Sequence, residues 1–284
     1  MDSKKIVENI LKNNGVEWKV KDFDRYVDPK CKTATSIYSK LVRLYSNSDN
    51  KKEFTISNSG LKDLLRMTVI VEYSEIVDTI KKLKSIFPDL TGYLAFKDSG
   101  YCGIHLNLKI DGLPCEIQLA PKIVVMGVDY LHTLHEKWRD FDFYEELNEL
   151  EKRKKEIINS DSSACEKKEL LKLIDQEEFV LQSKIKEEKE DLELRKKTYG
   201  EIFNTAGLPI YQNDIMKAIN ELFEEKEDSL PLVNIEIINL FNENLLTDGK
   251  VDKYKVNQVT DKLLKNIELV QDKFVNLVKE CLQL

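Results

Sequence analysis

The sequence is short of the features that usually decide a protein's class at once. Its five cysteines, at positions 31, 102, 115, 165 and 281, are odd in number and form no CxxC pair. That argues against a disulfide framework and implies reduced thiols in a cytoplasmic protein. No hydrophobic run approaches the length of a membrane span, and residues 4–13 are too charged for a secretory signal. There is no internal repeat and no low-complexity tract, and Asp248-Gly249 lacks the spaced carboxylates of a calcium loop.

What is present is a chain of 284 residues, 42% hydrophobic and 33% charged. It is long enough to bury one catalytic-size core and carry a second unit. The net charge of −7 is unevenly spread: residues 1–140 hold 22 basic and 19 acidic side chains, residues 141–284 hold 22 and 32. The first part therefore suits an anionic ligand, and the acidic second part does not suit a general nucleic-acid clamp.

Residues 3–13 read as a short helix, followed by a polar connector to Pro29. Thr33 or Thr35 caps a helix with the apolar stripe Ile37, Leu41, Leu44 and Tyr45. Its other face presents Ser36, Lys40 and Arg43, beside Lys30 and Lys32, and cations at a helix start attract phosphate. Residues 67–73 form a continuous β-branched run, hence a buried strand, and a helix follows from Ser74 to Phe87. Gly92 to Phe96 is a further strand, and a helix is expected from about Val128 to Phe141. This order predicts an α+β domain, with helices packed on a mixed sheet.

Residues 104–110 and 113–119 alternate apolar and polar about Asp111-Gly112, a two-residue hairpin signal. Pairing Ile110 with Leu113 sets Asn107 opposite Glu116 and His105 opposite Gln118, all on one face. The other face then carries Ile104, Leu106, Leu108, Cys115, Ile117 and Leu119, a core surface.

Beyond residue 144 the composition changes. Residues 145–158 and 165–197 are dense in Glu and Lys, and the break at 159–163 suggests a helical hairpin or coiled-coil arm. Three more helices are expected at 213–226, 231–245 and 255–283. The predicted division is a domain over 1–144 and an acidic helical region over 145–284, with an arm at 145–199 and a small bundle at 213–284.

Five motifs occur in order: Lys30-Cys-Lys32-Thr-Ala-Thr-Ser36-Ile-Tyr-Ser-Lys40, Lys62-Asp63-Leu-Leu-Arg66-Met-Thr68, Ser99-Gly100-Tyr101-Cys-Gly-Ile-His105, Glu116-Ile-Gln118, and His132-x-x-His135-Glu136-x-x-Arg139. Together they resemble the RelA/SpoT-type nucleotide pyrophosphokinase domain of alarmone synthetases over roughly residues 25–140. The likeness is greatest to small or toxin-like members that have no hydrolase domain. A hydrolase domain of that family rests on a His-Asp pair, and this chain has three histidines and no such dipeptide.

The resemblance implies transfer of pyrophosphate from ATP to a ribose 3′-hydroxyl with release of AMP, dependent on Mg2+. It implies Asp63 and Glu116 as catalytic and metal-binding acids, with Glu116 able also, or instead, to take the acceptor's proton. Lys30, Lys32, Ser36, Lys40, Arg43 and Arg66 would hold donor phosphates and adenine. Tyr101 would stack on the acceptor base, and His105, Asn107 and Gln118 would orient phosphate or ribose.

Three positions depart from the family pattern. Lys30 stands where the family has its first Arg, Thr68 where an Arg is usual, and Cys102 where an Arg commonly follows the motif tyrosine. The acceptor therefore stays open between a guanine nucleotide (GDP or GTP), an adenine nucleotide and the 3′ end of a tRNA. A different class of function is a catalytically inactive nucleotide-binding regulator acting through the helical arm. The acidic tail itself reads as an oligomerisation arm, a protein-partner site or an autoinhibitory cover, with no membrane role.

Overall fold

The computed structural model describes residues 2–23, 25–47, 53–57, 59–138, 141, 143–223, 240 and 242–283, without the side chains of 27–30, 265, 266, 268 and 269. Arg139, the side chain of Lys30 and most of the helix expected over 231–245 lie outside what is described. The chain divides into two compact units. One, the sheet unit, comprises Lys21–Phe96, Cys102–Val125 and Phe203–Leu284; the other, the helical unit, comprises Met1–Val20, Lys97–Tyr101 and Met126–Ile202.

The fold is α+β. The sheet unit holds β1 (Tyr26–Cys31), α2 (Ala34–Ser46), β2 (Leu65–Ile70), a 3-10 turn at Tyr73–Glu75, α3 (Ile76–Ile86), β3 (Thr91–Phe96), β4 (Cys102–Ile110) and β5 (Leu113–Ala120). The five strands form one mixed sheet in the order β1-β2-β5-β4-β3, with β2 and β5 parallel and the other neighbours antiparallel. The turn residues Asp111 (φ 49) and Gly112 (φ 86) are both left-handed, the backbone of a two-residue hairpin loop. The register is the expected one: Ile110 faces Leu113, Asn107 faces Glu116 and His105 faces Gln118. Ile104, Leu106, Leu108, Cys115, Ile117 and Leu119 are all buried on the opposite side.

Strand β1 lies where a polar connector was expected. Its residues Asp28, Pro29 and Lys30 carry no strand signal, and the pairing with β2 slips between Val27 and Lys30. As an edge strand with a bulge it has room for a proline that a central strand could not accept.

The division between the units does not fall at residue 144. The C-terminal segment, with α7 (Leu208–Leu222), the two-residue strands β6 (Leu246–Thr247) and β7 (Lys250–Val251), and α8 (Lys253–Leu282), joins the sheet unit. Helix α8 buries Val256, Val259, Leu263, Ile267, Val270, Phe274 and Val278 and packs against α2, α3 and β1. Helix α7 packs against α3 and β3, and Phe223 at its end fills the space over Gly92, where a Cβ would stand 2.6 Å from the ring.

The helical unit contains α1 (Ser3–Asn13), most of α4 (Lys122–Trp138), α5 (Phe143–Asn159) and most of α6 (Ala164–Thr205). Helix α4 starts at Lys122, directly after Pro121, six residues earlier than expected. Gly127 is an interior helical residue, because a Cβ there would lie 2.4 Å from Ile202. Helices α5 and α6 form a hairpin around Leu150, Ile174 and Leu181, flanked by Arg153–Glu177, Lys154–Asp175 and Lys154–Glu178 ion pairs. Among the described residues, no helix is long and apolar enough to cross a membrane.

Candidate active site

The polar face of the sheet follows from the register. Parallel pairing places Arg66 beside Glu116 and Thr68 beside Gln118; antiparallel pairing places Tyr93 beside His105 and Thr91 beside Asn107. Two rows of polar residues therefore run across four strands, one through Arg66, Glu116, Asn107 and Thr91, the other through Thr68, Gln118, His105 and Tyr93.

Glu116 is only 5% exposed. His105 Nδ1 lies 3.1 Å from its Oε2, and Gln118 Nε2 donates to Oε1 at 2.9 Å. Gln118 Nε2 also lies 3.3 Å from His105 Nδ1, and the Thr68 hydroxyl donates to Gln118 Oε1 at 3.5 Å. Glu116 Oε1 thus accepts a hydrogen bond and Oε2 faces the His105 ring, so each oxygen of the buried carboxylate has a polar neighbour. Arg66, one strand over, has no ion-pair partner among the described residues.

Asp63 precedes β2 and is 8% exposed. Two backbone hydrogen bonds tie this corner together, Leu64 N to Pro114 O at 3.2 Å and Lys32 N to Leu64 O at 3.1 Å. The Asp63 carboxylate receives Lys32 Nζ on Oδ2 at 3.2 Å and Lys40 Nζ on Oδ1. Thr33 caps α2, its hydroxyl accepting from Ser36 N at 3.2 Å, and this fixed start places Lys40, two turns on, at Asp63. Arg43 is exposed farther along the helix.

The Tyr93 ring lies parallel to the His105 ring, centroids 5.1 Å apart and planes 9° apart. Its phenol is pushed up from the ordinary value by burial and, in the same direction, by the negative charges of Glu116 and Asp63. The hydrogen bond from Leu64 N to Pro114 O holds the residue after Asp63 against β5, the strand that carries Glu116.

No family model matches the chain. No curated protein matches it either. Among solved structures, a GTP pyrophosphokinase family protein from Streptococcus pneumoniae is similar, with 14% identity over 68% of this chain and 87% of that chain and a TM-score of 0.32.

The structure brings together Lys32, Lys40, Asp63, Arg66, His105, Asn107, Glu116 and Gln118, all in the sheet unit. Tyr101 belongs to the helical unit, where its ring meets Tyr199 edge-on at 5.8 Å. Beside it, Gly100 has φ +84 and lies against Lys196, whose Cα would be 3.1 Å from a Cβ. His132 is exposed and 3.6 Å from Glu136, and His135 is 3.3 Å from Arg195. Cys102 pairs with Phe96 on the apolar side, and burial pushes its thiol up to about 12. A cation at this position would not address the polar face, so the Cys102 departure removes no contact there.

Tyr93 is absent from the expected site. The turn at Asp98-Ser99-Gly100 held the signal: pairing the strand at 92–96 back on 102–107 puts Tyr93 opposite His105.

No group of three or more His, Cys, Asp or Glu able to hold a metal occurs among the described residues. Asp63 and Glu116 fit magnesium in kind, as hard oxygen donors. They match a site completed by substrate phosphates better than an all-protein cage.

Proposed function

We propose that the sheet unit is a pyrophosphokinase that moves the β,γ-diphosphate of ATP onto the 3′-hydroxyl of a nucleotide. The observation that carries this is a buried carboxylate, Asp63, paired with Lys32 and Lys40 at the start of the strand that sets Arg66 beside a second buried carboxylate, Glu116. Two polyanions can meet there only if cations cancel their charge.

In the step itself the acceptor's 3′-oxygen attacks the β-phosphorus, the bond from that phosphorus to the bridging oxygen breaks, and AMP leaves with the electron pair. The hydroxyl proton passes to Glu116. Lys32, Lys40 and Arg66 hold the donor phosphates, with Ser36 and Arg43 on the same helix as Lys40. His105 and Gln118 keep the Glu116 carboxylate in place, and Asn107 lies in the same row for the acceptor ribose. Bound magnesium would supply charge neutralisation, held by Asp63 and, where it is not the base, Glu116.

A second acceptor class, the 3′ end of tRNA, is favoured by Thr68. A threonine where the family usually has an arginine offers no cation for a second nucleotide's phosphates.

The test is incubation with magnesium and ATP labelled at the β or γ phosphorus, offering GDP, GTP, ADP, ATP and bulk tRNA separately. Label on one acceptor class with matching AMP release is expected. Label on none, with no AMP, overturns the proposal. Glu116→Gln should slow transfer by roughly a hundredfold or more, and an unchanged rate would remove Glu116 from the mechanism.

A further inference from the structure

Tyr93 is 45% exposed, yet its ring is laid flat on a histidine that is itself buried. A tyrosine recruited only to fill a core would hide its own surface; this one covers His105 instead. The torsion that sets an imidazole plane is broad and roughly two-fold. Strand β4 therefore delivers His105 to the polar face without deciding how its ring is turned. Two sets of neighbours bear on it. The parallel Tyr93 ring selects the plane, and Glu116 Oε2, 3.1 Å from Nδ1, selects which edge of that plane faces the carboxylate.

The consequence reaches Glu116. Its Oε1 is held by Gln118 and its Oε2 by His105. If the imidazole tilted away, a carboxylate 5% exposed would lose one of these two partners and would turn to recover another.

We infer that Tyr93 is a positioning residue that fixes the His105 ring and, through it, the orientation of the Glu116 carboxylate in the pyrophosphokinase site. The inference rests on the function proposed above for its catalytic part. Its structural part, the hold of Tyr93 on His105, stands on geometry alone.

Three measurements on the full chain test it. Tyr93→Ala should lower kcat by roughly ten- to a hundredfold, with the KM for ATP held within about twofold. Tyr93→Phe keeps the stack without the hydroxyl and should recover most of the lost rate. The third measurement needs no turnover: the carbon-bound ring protons of His105 should carry a ring-current shift in the wild type that Tyr93→Phe keeps and Tyr93→Ala abolishes. The signal is assigned by its absence in His105→Gln, and thermal melting confirms that each variant is folded.

A wild-type kcat in Tyr93→Ala overturns the inference, as does a Tyr93→Phe variant as slow as Tyr93→Ala. His105 resonances unmoved by Tyr93→Ala also overturn it. If the wild-type protein transfers label to no acceptor, the pyrophosphokinase proposal falls, and the His105 resonances still decide whether Tyr93 holds the ring.

Discussion

In the sheet, every apolar side chain of the β4–β5 hairpin's inner face is buried, and α7 and α8 return from the far end of the sequence to pack beside it. In the α5–α6 hairpin, by contrast, Leu150, Ile174 and Leu181 are buried while Ile158, Leu170, Leu173, Phe179 and Val180 stay 41% to 75% exposed. Partly buried Phe143, Leu147, Ile157 and Ile185 pack around those three, and exposed ion pairs join the helices beyond them. Burial of apolar area is the dominant favourable term in folding, whereas exposed ion pairs contribute little. The polar site therefore sits on the part with the deeper core, and the hairpin can open locally without unmaking it.

That contrast can be broken at several points. The largest effect is expected from Leu106→Ala beneath the site, about 2–5 kcal/mol of stability, read by urea unfolding of the whole chain; a loss under about 1 kcal/mol would mean the core does not carry the sheet. Ile174→Ala should cost less, under about 2 kcal/mol, and show as faster amide exchange in α5 and α6 alone. Protection lost equally in β4 and β5 would contradict separate opening.

The thiols give a third handle. Burial pushes Cys102 and Cys115 of the sheet from 9.0 up to about 12, so the folded state keeps protons that the unfolded chain releases. Their contribution is full below pH 9 and is lost as pH rises towards 12. A thiol reagent near neutral pH should label exposed Cys165 on α6 in the native protein and reach Cys102 and Cys115 only on unfolding; equal labelling rates would refute this. The smallest effect is expected for Arg153→Gln. Its pairing with Glu177 is exposed, and a clear drop in the melting temperature would show that surface pairs do hold the hairpin together.

The hairpin that carries Glu116 was legible because two independent signals agree: the Asp-Gly turn and the strict alternation on both sides of it. The charged arm was legible because sparse apolar positions at helical spacing recur on each side of a polar break. Strand β1 was hidden because its pairing is an edge property, indifferent to the Asp-Pro-Lys that suppresses strand propensity. The stripe of α8 announced a buried face but not its partner, which is why a separate C-terminal bundle was expected where α8 in fact packs on α2 and α3. In the site, residue order along β4 and β5 sufficed to group His105, Asn107, Glu116 and Gln118. Tyr93 needed the further step of pairing β3, and the engagement of Asp63 by Lys32 and Lys40 depends on side-chain reach that no spacing rule encodes.

That last contact would give the binding proposed for this corner the character of an exchange. A phosphate that draws off Lys32 and Lys40 leaves the buried Asp63 without its counter-charges, and a divalent cation that takes Asp63 sets two ammonium groups loose. Each ligand removes the penalty incurred by the other, so their affinities are linked and rise together. In the proposed reaction, a corner whose Asp63 already holds Lys32 and Lys40 would favour metal and phosphate arriving as one complex over either alone.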